Sequence, residues 1–316
     1  MRLARGGLVV ALAALFSGCF SSALGARMML VPGHARAGPS PALLHHAVTI
    51  PGEGVALQGW FFPAAAPRGT VIFLHGRNQD RSEGVRVAER LVPLGWDVLV
   101  YDSRAHGESG GDYSTFGFWE RRDLSRAIDF LGADHVVVMG VSMGGAVAIQ
   151  GAADDPRIAE VISISAYASM RRVVRERLPR LVARFVLSSA FRAAEQLGAM
   201  KVDGADTASA ARRVTVPTLL LHGEEDGFVP PAHAGEIHAA LAGPKELVLV
   251  PGAGHGDVLG TEEAWRRIVG WLDATPAPQR AQGARRAPVH GTPTRSGAAA
   301  RAAPPPASPP RRPRTR

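Results

Sequence analysis

Six short apolar runs, separated by segments of helical periodicity, constrain this 316-residue chain more than any other feature of its sequence. The runs are Val71 to Leu74, Val98 to Tyr101, Val136 to Met139, Val161 to Ile164, Leu219 to Leu221 and Leu247 to Val250. Each is mostly β-branched or aliphatic, and most are bounded by Gly, Pro or Asp, as strands are. Between them lie helix-like stretches: Gly84 to Val92, Trp119 to Leu131, Met143 to Ala152, Ala232 to Leu241 and Glu262 to Leu272. Strands that are apolar throughout belong in a sheet buried on both faces, and their alternation with helices makes that sheet mostly parallel. Ala47 to Ile50 and Ala56 to Phe62 alternate better and predict antiparallel opening strands. The class is therefore α/β, over residues 46–275.

One interval breaks the rhythm. About 50 residues separate the strand ending near Ala166 from the strand starting near Pro217, more than a plain connection needs. Within it Val174, Leu178, Leu181, Val182 and Phe185 recur at helical spacing, opposed by Arg171, Arg172, Arg175, Arg180 and Arg184. This predicts a helical cap insertion over about residues 168–215, interrupted at Pro179, above the open edge of the sheet. The Arg residues read as its solvated face.

The net charge of +8 raises the question of a nucleic-acid partner, and its distribution answers against one. Residues 276–316 hold nine Arg, ten Pro and ten Ala with no Asp, Glu or aromatic residue, so the rest of the chain is within one charge of neutral. A segment of that composition buries too little apolar surface to offset its ordering entropy and is expected to be disordered. The basic residues are nearly all Arg, Lys201 and Lys245 excepted, which marks a composition habit more than selection for phosphate contacts.

The N-terminus has the layout of an export signal: Arg2 and Arg5, then an uncharged run from Gly6, then Phe16-Ser17-Gly18-Cys19. It resembles a bacterial lipoprotein signal over residues 1–18, with Cys19 as the lipidation candidate and Phe16 where that signal usually carries Leu. The uncharged stretch continues to Ala26, and 21 helical residues reach about 31 Å, so an uncleaved membrane anchor is the second reading. Cleavage by ordinary signal peptidase is the third. All three place the body in the cell envelope or outside the cell, with residues 19–45 as a linker. Cys19 is the only cysteine, which leaves no intrachain disulfide.

The chemistry is concentrated at the carboxyl ends of the predicted strands. Gly140-Val141-Ser142-Met143-Gly144-Gly145 follows one strand directly and opens a helix. A serine in such a tight turn holds its hydroxyl above the carboxyl edge of the sheet, where open α/β folds bind ligands, and the helix N-terminus behind it favours developing negative charge. This is the nucleophile-elbow pattern. A serine hydroxyl needs a base, and the base an orienting carboxylate. Gly223-Glu224-Glu225-Asp226-Gly227 follows the next-to-last strand, and Pro251-Gly252-Ala253-Gly254-His255-Gly256-Asp257 follows the last. Glu224, Glu225, Asp226 and Asp257 are all candidates for the acid. His75 and His106, each before a Gly in a turn, read as loop-stabilising, as do Asp102 and Arg104 through a local ion pair or hydrogen-bond network. His45, His46, His222, His233 and His238 show no metal-ligand pattern and are assigned no chemistry.

These segments together resemble the α/β-hydrolase family over residues 46–275, and within it the serine esterase and aminopeptidase-like branch. The likeness rests on His75-Gly76, Asp102-Ser103-Arg104-Ala105-His106-Gly107-Glu108-Ser109, the elbow, the acid loop and the histidine loop, in that order. It implies Ser142 as nucleophile, His255 as general base and then acid, and Asp226 as the orienting carboxylate. It implies an oxyanion hole made by the backbone N–H groups of Met143 and Arg77. The expected activity is hydrolysis of carboxylic esters through an acyl-enzyme, on a small-molecule acyl ester or short peptide, with no metal or cofactor required. A peptidase or thioesterase would use the same triad. Dehalogenase chemistry is disfavoured because related dehalogenases use Asp as nucleophile. A tethered, non-catalytic scaffold on the same fold is the rival from another class.

Overall fold

A computed structural model of the chain describes residues 22–33, 38, 40–177 and 180–274, with the backbone alone over 180–186. The signal-like start with Cys19, the break at Pro179 and the Arg-rich tail lie outside the described residues.

Eight strands form one sheet: β1 (His46–Pro51), β2 (Ala56–Phe62), β3 (Gly69–Leu74), β4 (Trp96–Tyr101), β5 (Val136–Val141), β6 (Ile158–Ile164), β7 (Thr218–Gly223) and β8 (Lys245–Val250). Their order is β1-β2-β4-β3-β5-β6-β7-β8. The β1–β2 and β2–β4 pairings are antiparallel and the others parallel. Every residue of β3, β4, β5 and β7 is buried, as runs apolar throughout require. Along β3, Ile72 and Leu74 face one layer of the core while Val71 and Phe73 face the other.

The first layer packs α3 (Glu120–Leu131), α4 (Met143–Ala152) and α8 (Ala232–Ala240) on the sheet through side chains such as Leu124, Ile128, Ile149 and Ile237. The second packs α2 (Val85–Leu91) and α9 (Glu262–Ala274) through Val87, Leu91, Trp265 and Ile268. Crossover connections of this kind bring the ends of β5, β7 and β8 to a common rim.

The insertion folds as α5 (Met170–Arg177), α6 (Arg180–Leu197) and α7 (Thr207–Ala211). On α6, Leu187, Ala190, Phe191 and Ala194 are buried. Polar ties hold α5: Arg171 Nε donates to Asp203 Oδ1 (2.5 Å) within the insertion, and Arg172 Nη1 to Glu236 Oε2 (2.5 Å) on α8 of the body. His233 bridges the same pair of helices, accepting from the Ala168 N–H through Nδ1 (3.1 Å) and donating from Nε2 to Glu176 (3.0 Å).

Residues 22–30, inside the span read from sequence as a linker, form a helix, α1. Ser22, Ala26 and Leu30 are buried, and their four-residue spacing puts them on one helical face. A Cβ on Gly25 would meet Ala190 Cβ at 3.5 Å, so α1 lies close against α6. No helix among the described residues is long and apolar enough to cross a membrane.

Candidate active site

β5 ends at Val141 and α4 begins at Met143, so Ser142 alone makes the turn, at φ 52° and ψ −110°. A non-glycine residue in that region is strained and needs a surrounding structure that leaves no alternative. Its N–H donates to Ile164 O (2.7 Å) on β6 and its carbonyl accepts from the Ala146 N–H (3.0 Å). Gly144 is required beside it: a Cβ there would sit 2.1 Å from Leu74 O. The helix behind Ser142 is buried from Met143 to Gly151, so its N-terminal partial charge acts in a poorly screened setting.

His255, on the loop after β8, places Nε2 2.9 Å from Ser142 Oγ and Nδ1 2.7 Å from Asp226 Oδ2. A carboxylate only accepts, so Nδ1 carries the proton and Nε2 is left to accept from the serine hydroxyl. Asp226 is buried on the loop after β7 and is held by more than the histidine. Its Oδ1 accepts from the N–H groups of Phe228 (2.9 Å) and Val229 (2.8 Å), and His222 Nε2 stands 3.1 Å from Oδ2. Burial pushes the Asp226 carboxyl up, but the donors from His222, His255 and the Val229 N–H outweigh it and hold the group well below the usual carboxylate range.

Asp226 is thus the carboxylate that meets His255. Glu224 and Glu225 point into solvent, and Asp257 braces the histidine loop by accepting from the Gly254 N–H (3.0 Å). His222, assigned no chemistry from sequence, is the unanticipated member of the group. Its Nε2 also donates to Val229 O (2.7 Å), so one buried imidazole holds both the acid and the loop that carries it. The signal for it was its position four residues before Asp226 at the end of a strand.

The turn after β3 lies on the other side of the serine. The Gly76 N–H donates to Glu83 Oε2 (2.8 Å), and a Cβ on Gly76 would fall 3.8 Å from Ser142 Cβ. Met143 and Arg77 both line the cavity in front of Ser142. His75 donates from Nδ1 to Gly76 O (2.7 Å) and accepts the Ser103 N–H at Nε2 (2.9 Å), joining this turn to the loop after β4. Burial lowers the pKa of His75 and of the adjoining His106 to about 4, so both are neutral braces at neutral pH. Asp102 and Arg104 brace the loop through separate partners and not as a pair: Asp102 accepts from the Arg81 backbone and guanidinium, and Arg104 pairs with Asp123 (2.7 Å).

A cavity of about 560 Å³ opens over Ser142 and His255. Phe116, Tyr167, Val174, Leu187 and Phe228 make its walls largely apolar, and Gly25, Met28 and Met29 of α1 complete them. A pocket of this size and lining suits a small apolar ligand oriented by a few polar groups. No group of three or more His, Cys, Asp or Glu side chains that could hold a metal ion exists among the described residues.

A serine on an elbow, an imidazole aimed at it and a buried carboxylate behind define a site able to move a proton off a hydroxyl, set in an eight-stranded, mostly parallel sheet. The chain belongs to the α/β-hydrolase family: the model for the alpha/beta hydrolase fold matches residues 69–215, and that for TAP-like proteins matches residues 193–281. It is 30% identical over 213 residues to an uncharacterized protein of Mycobacterium tuberculosis strain H37Rv, covering 65% of this chain and 70% of that one. It is 30% identical over 120 residues to the monoglyceride lipase of Homo sapiens, covering 36% and 39% of the two chains. Among solved structures it is similar to an esterase of Pyrococcus furiosus, with a TM-score of 0.62, 24% identity and coverage of 77% and 98%. The likeness to the solved structure is one of fold, and the family match is what supports hydrolase chemistry.

Proposed function

We propose that the chain is a serine hydrolase of carboxylic esters that works through an acyl-enzyme on Ser142. The observation that carries this reading is the hydrogen-bonded series from Ser142 Oγ through the His255 ring to Asp226, at 2.9 and 2.7 Å. His255 Nε2 takes the hydroxyl proton as Oγ attacks the ester carbonyl, and Asp226 stabilises the resulting imidazolium. The negative oxygen of the tetrahedral intermediate is stabilised by the backbone N–H groups of Met143 and Arg77. His255 then gives its proton to the departing alcohol, and water repeats the sequence to free the acid.

Esters are favoured over peptides by the cavity. A free α-amine needs a carboxylate to receive it, and among the described lining residues the one carboxyl is that of Glu83. Burial pushes that carboxyl up, and its Oε2 already accepts the Gly76 N–H.

Envelope localisation belongs to the same proposal. Residues 22–26 are part of a helix packed on the body, which leaves the uncharged run only residues 6–21, or about 24 Å as a helix. That is short of a bilayer core and favours export with processing near Cys19 over a spanning anchor. Mass spectrometry of the mature N-terminus tests it: a lipidated Cys19 is expected, and an intact Met1 contradicts it.

The activity is tested by turnover of a panel of short acyl esters by wild type and Ser142→Ala. A loss of at least four orders of magnitude is expected on substitution. Equal rates, or no turnover by folded wild type, would favour an idle scaffold.

A further inference from the structure

Arg77 carries a guanidinium into a half-buried position over the Phe116 ring, where its hydrogen-bond partners among the described residues are carbonyls, not a carboxylate. Nη2 donates to Met28 O (3.1 Å), Met29 O (2.8 Å) and Val31 O (3.2 Å). These oxygens belong to the last turn and exit of α1, where a helix has no backbone donors left for them and where its dipole is negative. Neighbouring residues repeat the attachment. Asn78, at φ 64°, accepts the Gly33 N–H through Oδ1 (2.8 Å), and Ser114 donates its N–H to Leu30 O (2.8 Å).

The turn that grips α1 is the same turn that faces the nucleophile, since Gly76 packs beside Ser142. The helix it grips presents Gly25, Met28 and Met29 to the cavity. The match to the family fold begins only at residue 69, so this wall comes from outside the matched core. Methionine is a flexible apolar filler, suited to chains of varied shape.

We infer that α1 is part of the acyl-binding site, that it makes the enzyme select esters with a long apolar acyl chain, and that Arg77 is the positioning residue that docks it. The inference rests on the ester-hydrolase reading above. A short acyl group on Ser142 buries little against α1, whereas each further methylene buried there tightens binding about fourfold. Losing α1 from the wall therefore lowers reactivity toward long chains more than toward short ones. Because the Arg77 backbone N–H belongs to the proposed oxyanion hole, Arg77 variants are read through the long-to-short ratio and not through the absolute rate.

The test uses the full chain and two fluorophosphonates, one with an ethyl and one with a dodecyl chain. Labelling rates at Ser142 are read by mass spectrometry and expressed as the long-to-short ratio. Arg77→Met and Met29→Ala are each expected to lower that ratio at least tenfold, with partial recovery in Arg77→Lys. Amide exchange over residues 22–33 is expected to quicken in Arg77→Met. A merely structural role for Arg77 slows both probes equally and leaves the ratio unchanged. Met29→Ala, at a partly exposed position, keeps the test open if Arg77→Met does not fold. A ratio within twofold of wild type in Met29→Ala and in any Arg77 variant that folds overturns the inference while leaving the hydrolase reading intact. Failure of folded wild type to label with either probe overturns both.

Discussion

The rim of loops that holds Ser142, Asp226 and His255 and the helical roof above it are built by different physics. On the rim, position is set by short buried hydrogen bonds and backbone constraint: Asp226 alone is met by two backbone N–H groups and two imidazoles. In the roof, α1 and α6 meet through small apolar side chains, and α5 is tied down by ion pairs at partly exposed Arg171 and Arg172. Buried hydrogen-bonded networks are costly to disturb, while exposed pairs contribute about 0–1 kcal/mol each. The rim therefore fixes the chemistry to within bond lengths, and the roof shapes what enters on a softer scale.

Substitutions that break the rim should be the most severe. His255→Ala is expected to lower kcat/KM for a short ester by about four orders of magnitude or more, measured by steady-state turnover. Asp226→Asn should cost about 10⁴ in kcat with little change in fold, because the amide favours the wrong imidazole tautomer. Urea unfolding midpoints check the second half of that statement.

A residue remote from both regions separates stability from chemistry. Glu160 on β6 is 1% exposed, and burial pushes its carboxyl up to about 8. The unfolded chain releases this proton near pH 4.5 and the folded chain only near 8, so wild type loses stability as pH rises across that window. Glu160→Gln should be more stable than wild type at pH 8.5, on the order of several kcal/mol, and gain little at pH 4. Its kcat should stay within twofold. Equal midpoints at pH 8.5 would contradict the protonated state.

His222 tests whether the rim extends one residue beyond the triad. His222→Leu removes the donor shared by Asp226 and Val229 O, a loss of about 1–3 kcal/mol, read as a fall of about fivefold to 150-fold in kcat/KM. His222→Gln should recover part of it. The smallest effect belongs to the roof: raising salt from 0.1 to 1 M should quicken amide exchange in α5 while exchange in α4 stays unchanged.

The two regions were also unequally legible. The buried strands and the elbow could be read because apolar runs and the Gly-x-Ser-x-Gly spacing are local patterns that need only their own neighbours. The acid and the base followed from their places after the last two strands. Asp226 stood apart from Glu224, Glu225 and Asp257 only through the family likeness, and the structure shows why: its oxygens alone turn inward to His255. The role of His222 depended on a strand-end turn that brings position i onto i+4. α1 was hidden because its uncharged residues continue an export-like run, and only packing on the folded body turns Ser22, Ala26 and Leu30 into a buried face. The Arg77 side chain acts on carbonyls up to 49 residues away, a contact no periodicity records.

The most direct test of the central claim is site-resolved labelling of the full chain with a fluorescent fluorophosphonate at pH 7.5. An activated Ser142 should carry the label stoichiometrically within minutes, and His255→Ala should abolish it. Label elsewhere, or labelling of Ser142 that survives loss of His255, would contradict the assignment of an imidazole-activated serine.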